Sequence, residues 1–268
     1  MAETHLVLIP SYNAGAKLFE TVAQARQYKW PVWVVIDGST DGTGDALERC
    51  SAGDAGIRVI RRARNGGKGA AVLDGLREAA RAGFTHALVM DSDGQHPASL
   101  IPEFIGLSCL NPGAMILGVP VFGRDAPVLR VLWRGVSNVL TNVETRGGIG
   151  DSLFGFRVYP VAPLLAVMEA QSGMRRFDFD AEAAVRLSWR GIKALNRRAP
   201  VRYPRAADGG VSHFRYGRDN VLLAKMHAML LAEAILRVIV RKRFFFEKKK
   251  QKTFGPAGVG NPGAKAHS

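Results

Sequence analysis

Two cysteines, Cys50 and Cys109, are all that 268 residues contain. That is too few for a disulfide framework, and it leads us to expect buried free thiols in a reducing, cytoplasmic compartment. Glu3 stands ahead of the first apolar run with no basic n-region, so no signal peptide is expected. Long apolar runs are also missing. From residue 221 to 240 the chain is apolar but broken by Lys225, His227, Glu233 and Arg237. This falls short of the roughly 18 uninterrupted apolar residues that span a bilayer. No Walker-type phosphate loop occurs and no Gly-x-Gly-x-x-Gly follows the first strand, which counts against ATPase and NAD-binding readings. Acidic residues are scarce: 37 Lys and Arg against 23 Asp and Glu leave a net charge of +14. Such an excess points to a polyanionic partner, whether nucleic acid, an anionic membrane face or phosphate-bearing substrates. No recognised RNA- or DNA-binding signature accompanies it, and the surplus is concentrated in the tail, so nucleic acid is not the expected partner.

What the chain does have is a repeated strand, loop and helix. Leu6-Val-Leu-Ile9 is an apolar run closed by Pro10, followed by a turn and a helical stretch over about residues 17–28. Val32-Trp-Val-Val-Ile36 repeats the pattern, with a helix over 44–51, and a third strand over 57–60 leads to a helix over 70–82. The fourth strand ends at Asp91. Strands alternating with helices imply an α/β fold with a parallel, doubly wound sheet whose functional loops share one edge.

The fourth strand closes on the richest chemistry, Ala87-Leu-Val-Met-Asp-Ser-Asp-Gly-Gln-His-Pro97. Ligands of open α/β sheets sit outside the carboxyl ends of the strands, where this run delivers Asp91 and Asp93. Two apart on an extended segment, both carboxylates are expected on one face. With the Gln95 amide they offer hard oxygen ligands suited to Mg²⁺ or Mn²⁺, and substrate phosphates would complete the shell. The rival is an Asp that merely caps a turn. Asp37 ends the second strand where an acid can accept hydrogen bonds from a ribose or a base. Asn65-Gly-Gly-Lys-Gly69 opens a helix, so that backbone N–H groups and the Lys68 ammonium are expected to face anions.

Four segments in this order, Pro10-Ser-Tyr-Asn13, Asp37-Gly-Ser-Thr-Asp-Gly-Thr43, Asn65-Gly-Gly-Lys-Gly69 and Met90-Asp-Ser-Asp-Gly-Gln-His-Pro97, resemble those of the family 2 inverting glycosyltransferases. The likeness is to the branch typified by dolichol-phosphate mannosyltransferase and bacterial polyprenyl-phosphate glycosyltransferases, and its motifs cover about 100 residues. It implies a GT-A fold, a nucleotide-diphosphate sugar donor and a divalent cation. By position it sets Pro10, Tyr12, Asn13, Asp37 and Lys68 around the nucleotide. Asp91 falls near the ribose and diphosphate, and Asp93 with Gln95 on the metal.

Beyond Pro97 the match loosens. Residues 115–119 read as a strand, and Arg130 and Arg134 recur at i, i+4 on a helix reaching about residue 143. In the resembling branch this region receives the acceptor's phosphate, which makes Arg124, Arg130 and Arg134 candidates for that contact; the alternative is a solvated basic face. Asp151-Ser-Leu-Phe-Gly-Phe-Arg157 looks like the family's Asp-x-x-x-Gly-Phe-Arg segment beside the acceptor, which adds Arg157. Phe177-Asp-Phe-Asp-Ala-Glu182 stands where many family members keep an acidic catalytic pair, here Asp180 and Glu182, although its alternation also suits a short strand meeting a helix. Val211-Ser-His-Phe-Arg215 resembles a late loop near the donor phosphates, carrying His213 and Arg215.

From Arg237 onward nine basic residues face Glu247 alone, a net +8, with Phe244, Phe245 and Phe246 among them. Such a segment suits the cytoplasmic face of an anionic membrane. The expected organisation is therefore a transferase domain over 1–220, an amphipathic basic helical segment over 221–250 that attaches peripherally, and a flexible tail over 251–268. A lipid phosphate acceptor is already ionised and needs no strong base; a hydroxyl acceptor needs one, and Asp180 is the candidate. Two rivals remain: a sugar-1-phosphate nucleotidyltransferase, whose Gly-rich loop after the first strand is lacking, and a non-catalytic nucleotide- or nucleic-acid-binding module.

Overall fold

The computed structural model describes residues 4–122, 128–201 and 216–253. Seven strands form one sheet: β1 (His5–Ser11), β2 (Val32–Asp37), β3 (Ile57–Arg62), β4 (His86–Val89), β5 (Ala114–Val121), β6 (Arg157–Pro160) and β7 (Lys193–Pro200). Their order is β3-β2-β1-β4-β6-β5-β7; β6 runs antiparallel to both neighbours and every other pair is parallel. Burial explains the central strands. β1, β2, β4 and β6 are buried throughout, as strands covered on both faces must be; the parallel strands β1, β2 and β4 are largely apolar runs, whereas the antiparallel β6 carries the buried Arg157. The edges are β3 and β7, which carry Arg58, Arg61, Lys193, Arg197 and Arg198, charges that discourage pairing with another chain.

Helices α1 (Ala16–Arg26), α2 (Thr43–Ser51), α3 (Lys68–Arg81) and α4 (Ile101–Leu110) follow β1 to β4 in turn. Next come α5 (Val128–Thr145), α6 (Val161–Glu169), α7 (Phe179–Trp189) and α8 (Tyr216–Thr253). On one face of the sheet Leu76 of α3, Leu164 of α6 and Phe179 of α7 pack against Leu8, Val35 and Val89. On the other, Leu18 of α1 and Phe104 of α4 pack against Val7, Ile9 and Val34. A smaller cluster joins Ala181 and Val185 of α7 to Leu223, Met226 and Leu230, which fastens the first half of α8 to the body.

Several expectations change. β4 ends at Val89, two residues early, and Asp91 to Gly94 form a turn in which Gly94 has φ 74°. The two carboxylates therefore owe their placement to this turn and not to strand alternation. The stretch at 177–182 is no strand: Asp178 caps α7, which begins at Phe179. Cys50 and Cys109 are free but exposed rather than buried, each near the end of an amphipathic helix. α8 begins at Tyr216, ahead of the boundary expected at 221, and runs through residues 241–250. Among the described residues no helix is long and apolar enough to cross a membrane.

Candidate active site

At the carboxyl ends of β1, β2 and β4 the chain encloses a cavity of about 430 Å³, walled by the strand-end loops and by α5 and α8. Lys68, the first residue of α3, sits at its centre. Its Nζ lies 2.7 Å from Asp91 Oδ1 and 2.7 Å from Asp180 Oδ2. Burial disfavours this ammonium, but the Asp180 and Asp91 carboxylates outweigh it and hold the pKa above the ordinary lysine value. Asp91 moves the opposite way: burial pushes it up, yet Lys68 and His96 prevail and the carboxyl stays ionised. Asp180 is raised, chiefly by burial and further by Asp91, against the pull of Lys68 and Arg157. Its Oδ1 is buried with no hydrogen-bond partner. Two acids thus share one ammonium.

His96 backs this centre. Its Nδ1 accepts the Asp91 backbone N–H at 3.0 Å, so any proton on the neutral ring is on Nε2, which faces Asp91 Oδ2 at 3.6 Å. Burial between Phe154 and Phe156 lowers its pKa to about 4, so it is uncharged near neutrality. Gly155 closes over the ion pair: a Cβ there would stand 2.6 Å from Asp91 Oδ2 and collide with Lys68 Nζ. The Asp-x-x-x-Gly-Phe-Arg segment expected beside the acceptor is therefore packed on the Lys68–Asp91 pair.

Pro10, Tyr12, Asp37, Asp93, Gln95 and Arg134 also line the cavity, whereas Asn13 does not. Asn13 works between loops: its side chain accepts the Thr40 N–H at 2.8 Å and its own N–H donates to Ser39 Oγ. Asp37, buried, accepts N–H bonds from Gly66 and Gly67 and pairs with Arg62. The backbone N–H groups expected to face an anionic ligand are thus turned onto Asp37, because a buried carboxylate needs donors and these are the nearest. Asp93 Oδ1 accepts the Gln95 N–H at 3.0 Å, as a turn-capping Asp does, while the residue still lines the cavity.

Arg157 is a correction. It is fully buried, and its guanidinium donates to the carbonyls of Phe154, Asp151 and Asp180 and to the Tyr159 hydroxyl. Lying on an interior antiparallel strand, it braces the 151–157 loop against α7 and does not line the cavity. Glu182 is likewise held by Arg186 at 2.6 Å, outside the cavity. Arg134 bonds Asp151 Oδ1 at 2.9 Å, and Asp151 takes three further donors from Asn138, Leu153 and Phe154. Arg124, His213 and Arg215 lie outside the described residues, and of Arg130 only the backbone, in the first turn of α5, lies within them. Sequence reasoning missed Gly155, the backing role of His96 and a polar chain of Ser137, His227 and Glu144. His96 and Gly155 each stood inside a quoted motif; the polar chain had no local signal.

The fold is that of a GT-A glycosyltransferase. The Glycosyl transferase family 2 model matches residues 6–165, more than half of the chain, and the chain belongs to that family. It is 33% identical over 169 residues to an undecaprenyl-phosphate mannosyltransferase of Micrococcus luteus, covering 60% of this chain and 68% of that one. It is 27% identical to a polyprenol monophosphomannose synthase of Mycolicibacterium smegmatis, covering 70% and 71%. Among solved structures it resembles a Mycobacterium tuberculosis glucosyl-3-phosphoglycerate synthase in complex with Mn²⁺, UDP and glucosyl-3-phosphoglycerate. There the TM-score is 0.57 at 18% identity, with 88% of this chain and 79% of that chain covered. Family membership sets aside the nucleotidyltransferase and the non-catalytic module.

Proposed function

We propose that this glycosyltransferase moves a hexose from a nucleotide-diphosphate sugar to a lipid-borne phosphate, with inversion at the anomeric carbon and with the help of Mg²⁺ or Mn²⁺. The observation that carries the reading is the cavity itself, which joins a charged end at Lys68, Asp91 and Asp93 to a wall of Trp133, Val136, Leu140 and Leu223. A diphosphate suits the first and a prenyl chain the second. The polyprenyl-phosphate names of the relatives support the acceptor class.

The residues present fit a hard divalent cation. Asp91, Asp93 and Gln95 line the cavity and offer oxygen donors, two of them carboxylates. That is the partial shell in which Mg²⁺ or Mn²⁺ takes its remaining ligands from substrate phosphates. The neighbour crystallised with Mn²⁺ agrees with it. When bound, such an ion neutralises charge on the departing diphosphate. Lys68 adds its own fixed positive charge to that same leaving group. Pro10 and Tyr12 would flank the base. Gly155, with no side chain, lets the loop close onto the ion pair. An ionised phosphate acceptor needs no base; a hydroxyl acceptor is the second reading, favoured by the buried, upward-shifted Asp180, whose Oδ1 has no hydrogen-bond partner.

Attachment to an anionic membrane belongs to the same reading. Leu132, Val136, Val139 and Val143 form an exposed apolar stripe on α5, and Ile235, Leu236, Ile239 and Val240 another exposed group on α8. The basic residues from Arg241 onward follow directly in the sequence. Apolar side chains beside a basic segment suit the headgroup boundary of the cytoplasmic leaflet.

The test is release of nucleoside diphosphate from a panel of UDP- and GDP-sugars, with Mn²⁺ or EDTA, with and without polyprenyl phosphate. Release that needs both metal and lipid phosphate supports the reading. Release without any lipid, or only with a hydroxyl acceptor, overturns the acceptor assignment.

A further inference from the structure

Arg175 and Arg176 follow one another in the loop before α7, and the fold spends only the first. The Arg175 guanidinium donates to the carbonyls of Met168 and Gln171, the latter at 3.0 Å. Arg176 bonds through its backbone, its N–H donating to Asp178 Oδ1 at 2.8 Å. Among the described residues its guanidinium has no hydrogen bond and no ion pair, yet the residue lines the cavity. The other Lys and Arg residues described along that lining are engaged: Lys68 with Asp91 and Asp180, Arg134 with Asp151, and Arg218 beside Asp219.

The loop that carries Arg176 is fastened to the Asn65-Gly-Gly-Lys-Gly69 turn. Ala70, in the first turn of α3, donates its N–H to the Arg175 carbonyl at 3.0 Å. A Cβ on Gly67 would lie 2.6 Å from that carbonyl and 2.8 Å from Arg176 Cγ, and one on Gly69 would collide with the Met174 carbonyl. The approach therefore depends on both glycines. Met174, fully buried, holds φ 56°, a conformation that a long side chain keeps only where its surroundings enforce it. Arg176 is thus set over Gly67, the chain neighbour of Lys68, and four residues before Asp180, whose Oδ2 takes the Lys68 ammonium. This is the strand end of the cavity, not the α5 and α8 wall.

An arginine costs side-chain entropy to order, and an unpaired one returns nothing to the fold. Beside an anion its planar fork gives two charge-assisted bonds. The anion that the proposed reaction brings to this end is the donor's diphosphate. Lys68 meets it with a charge already shared between two acids, whereas Arg176 brings one that no described acid pairs. We propose that Arg176 is a donor-binding residue whose guanidinium takes the diphosphate of the nucleotide sugar. Gly67 and Gly69 serve to seat its loop. This inference rests on the transfer reading above and concerns the donor end of the same cavity.

The experiment measures, in Mn²⁺, the affinity for UDP and GDP by calorimetry, with uridine and guanosine as competitors, together with the KM for a short-chain polyprenyl phosphate and the urea midpoint. The proteins are wild type, Arg176→Ala and Arg176→Lys. Loss of hydrogen bonds to a charged group gives an expected fall of about tenfold or more in nucleoside diphosphate affinity for Arg176→Ala. We expect Arg176→Lys to recover part of it, since a point charge replaces the fork. Competition by the nucleosides, the lipid KM and the urea midpoint should not move, the last because the guanidinium is unpaired in the free protein. Unchanged diphosphate affinity in Arg176→Ala, an equal loss for the nucleosides, or a loss confined to the lipid KM would overturn the diphosphate contact and leave transfer intact. A wild type that binds neither UDP nor GDP would defeat the transfer reading, and this inference with it.

Discussion

The two ends of the cavity are built in opposite ways. At the strand ends, charge is concentrated: one ammonium holds two carboxylates at 2.7 Å, and a neutral histidine is packed behind them. At the helical end Arg134 and Arg218 border the cavity, each beside an acid, Asp151 and Asp219, while Ser137 and His227 add a hydroxyl and an imidazole and the outer face of α5 is apolar. In the proposed reaction the first end would meet the ligand whose charge grows, and the second the ligand that is held.

Lys68→Ala should have the largest effect. It removes the cation between two acids, and we expect kcat to fall about 10²- to 10³-fold while lipid binding, measured by inhibition with polyprenol, stays the same. A loss confined to KM for the lipid would erase the distinction between the ends. Gly155→Ala comes next, because its Cβ must displace Asp91 or Lys68. Donor affinity, read by titrating nucleoside diphosphate, should weaken about tenfold with the fold retained, as circular dichroism would record. Wild-type affinity in this variant would mean that the 151–157 loop does not close on the donor centre.

Arg134→Ala probes the helical end. It strips one of four partners from the buried Asp151, and we expect about 2 kcal/mol of lost stability by urea unfolding, because the remaining N–H donors soften the cost. Donor affinity should not follow. The smallest effect is expected from Leu132→Ser with Val139→Ser, which leaves stability within about 0.5 kcal/mol but weakens co-sedimentation with anionic vesicles. Unchanged sedimentation would leave the basic segment alone as the membrane contact.

The same contrast governs what the sequence disclosed. The strand-end loops are short and local, so Asp91, Asp93, Lys68 and the alternation of β1 to α3 were legible from spacing. Roles set by distant partners were not. Asn13 and Asp37 read as donor contacts because their places at strand ends were visible, whereas the neighbours that occupy them, Ser39, Thr40, Gly66 and Gly67, are brought up only by folding. Arg157 was misread for a related reason: nothing local marks 157–160 as an antiparallel strand inserted between β4 and β5, and that insertion buries its guanidinium. His227 lies 83 residues from Glu144 and 90 from Ser137, beyond the reach of any pattern search.

The claim on which most depends is that Asp91 and Asp93 serve a metal-held donor diphosphate beside Lys68. Thermal shift of the wild type and of Asp93→Ala with UDP and with GDP, each in Mn²⁺ and in EDTA, tests it most directly. We expect one nucleotide to raise the wild-type melting temperature in Mn²⁺ far more than in EDTA, and that difference to vanish in Asp93→Ala. Equal stabilisation with and without metal, or a metal-dependent shift that survives in Asp93→Ala, would contradict it.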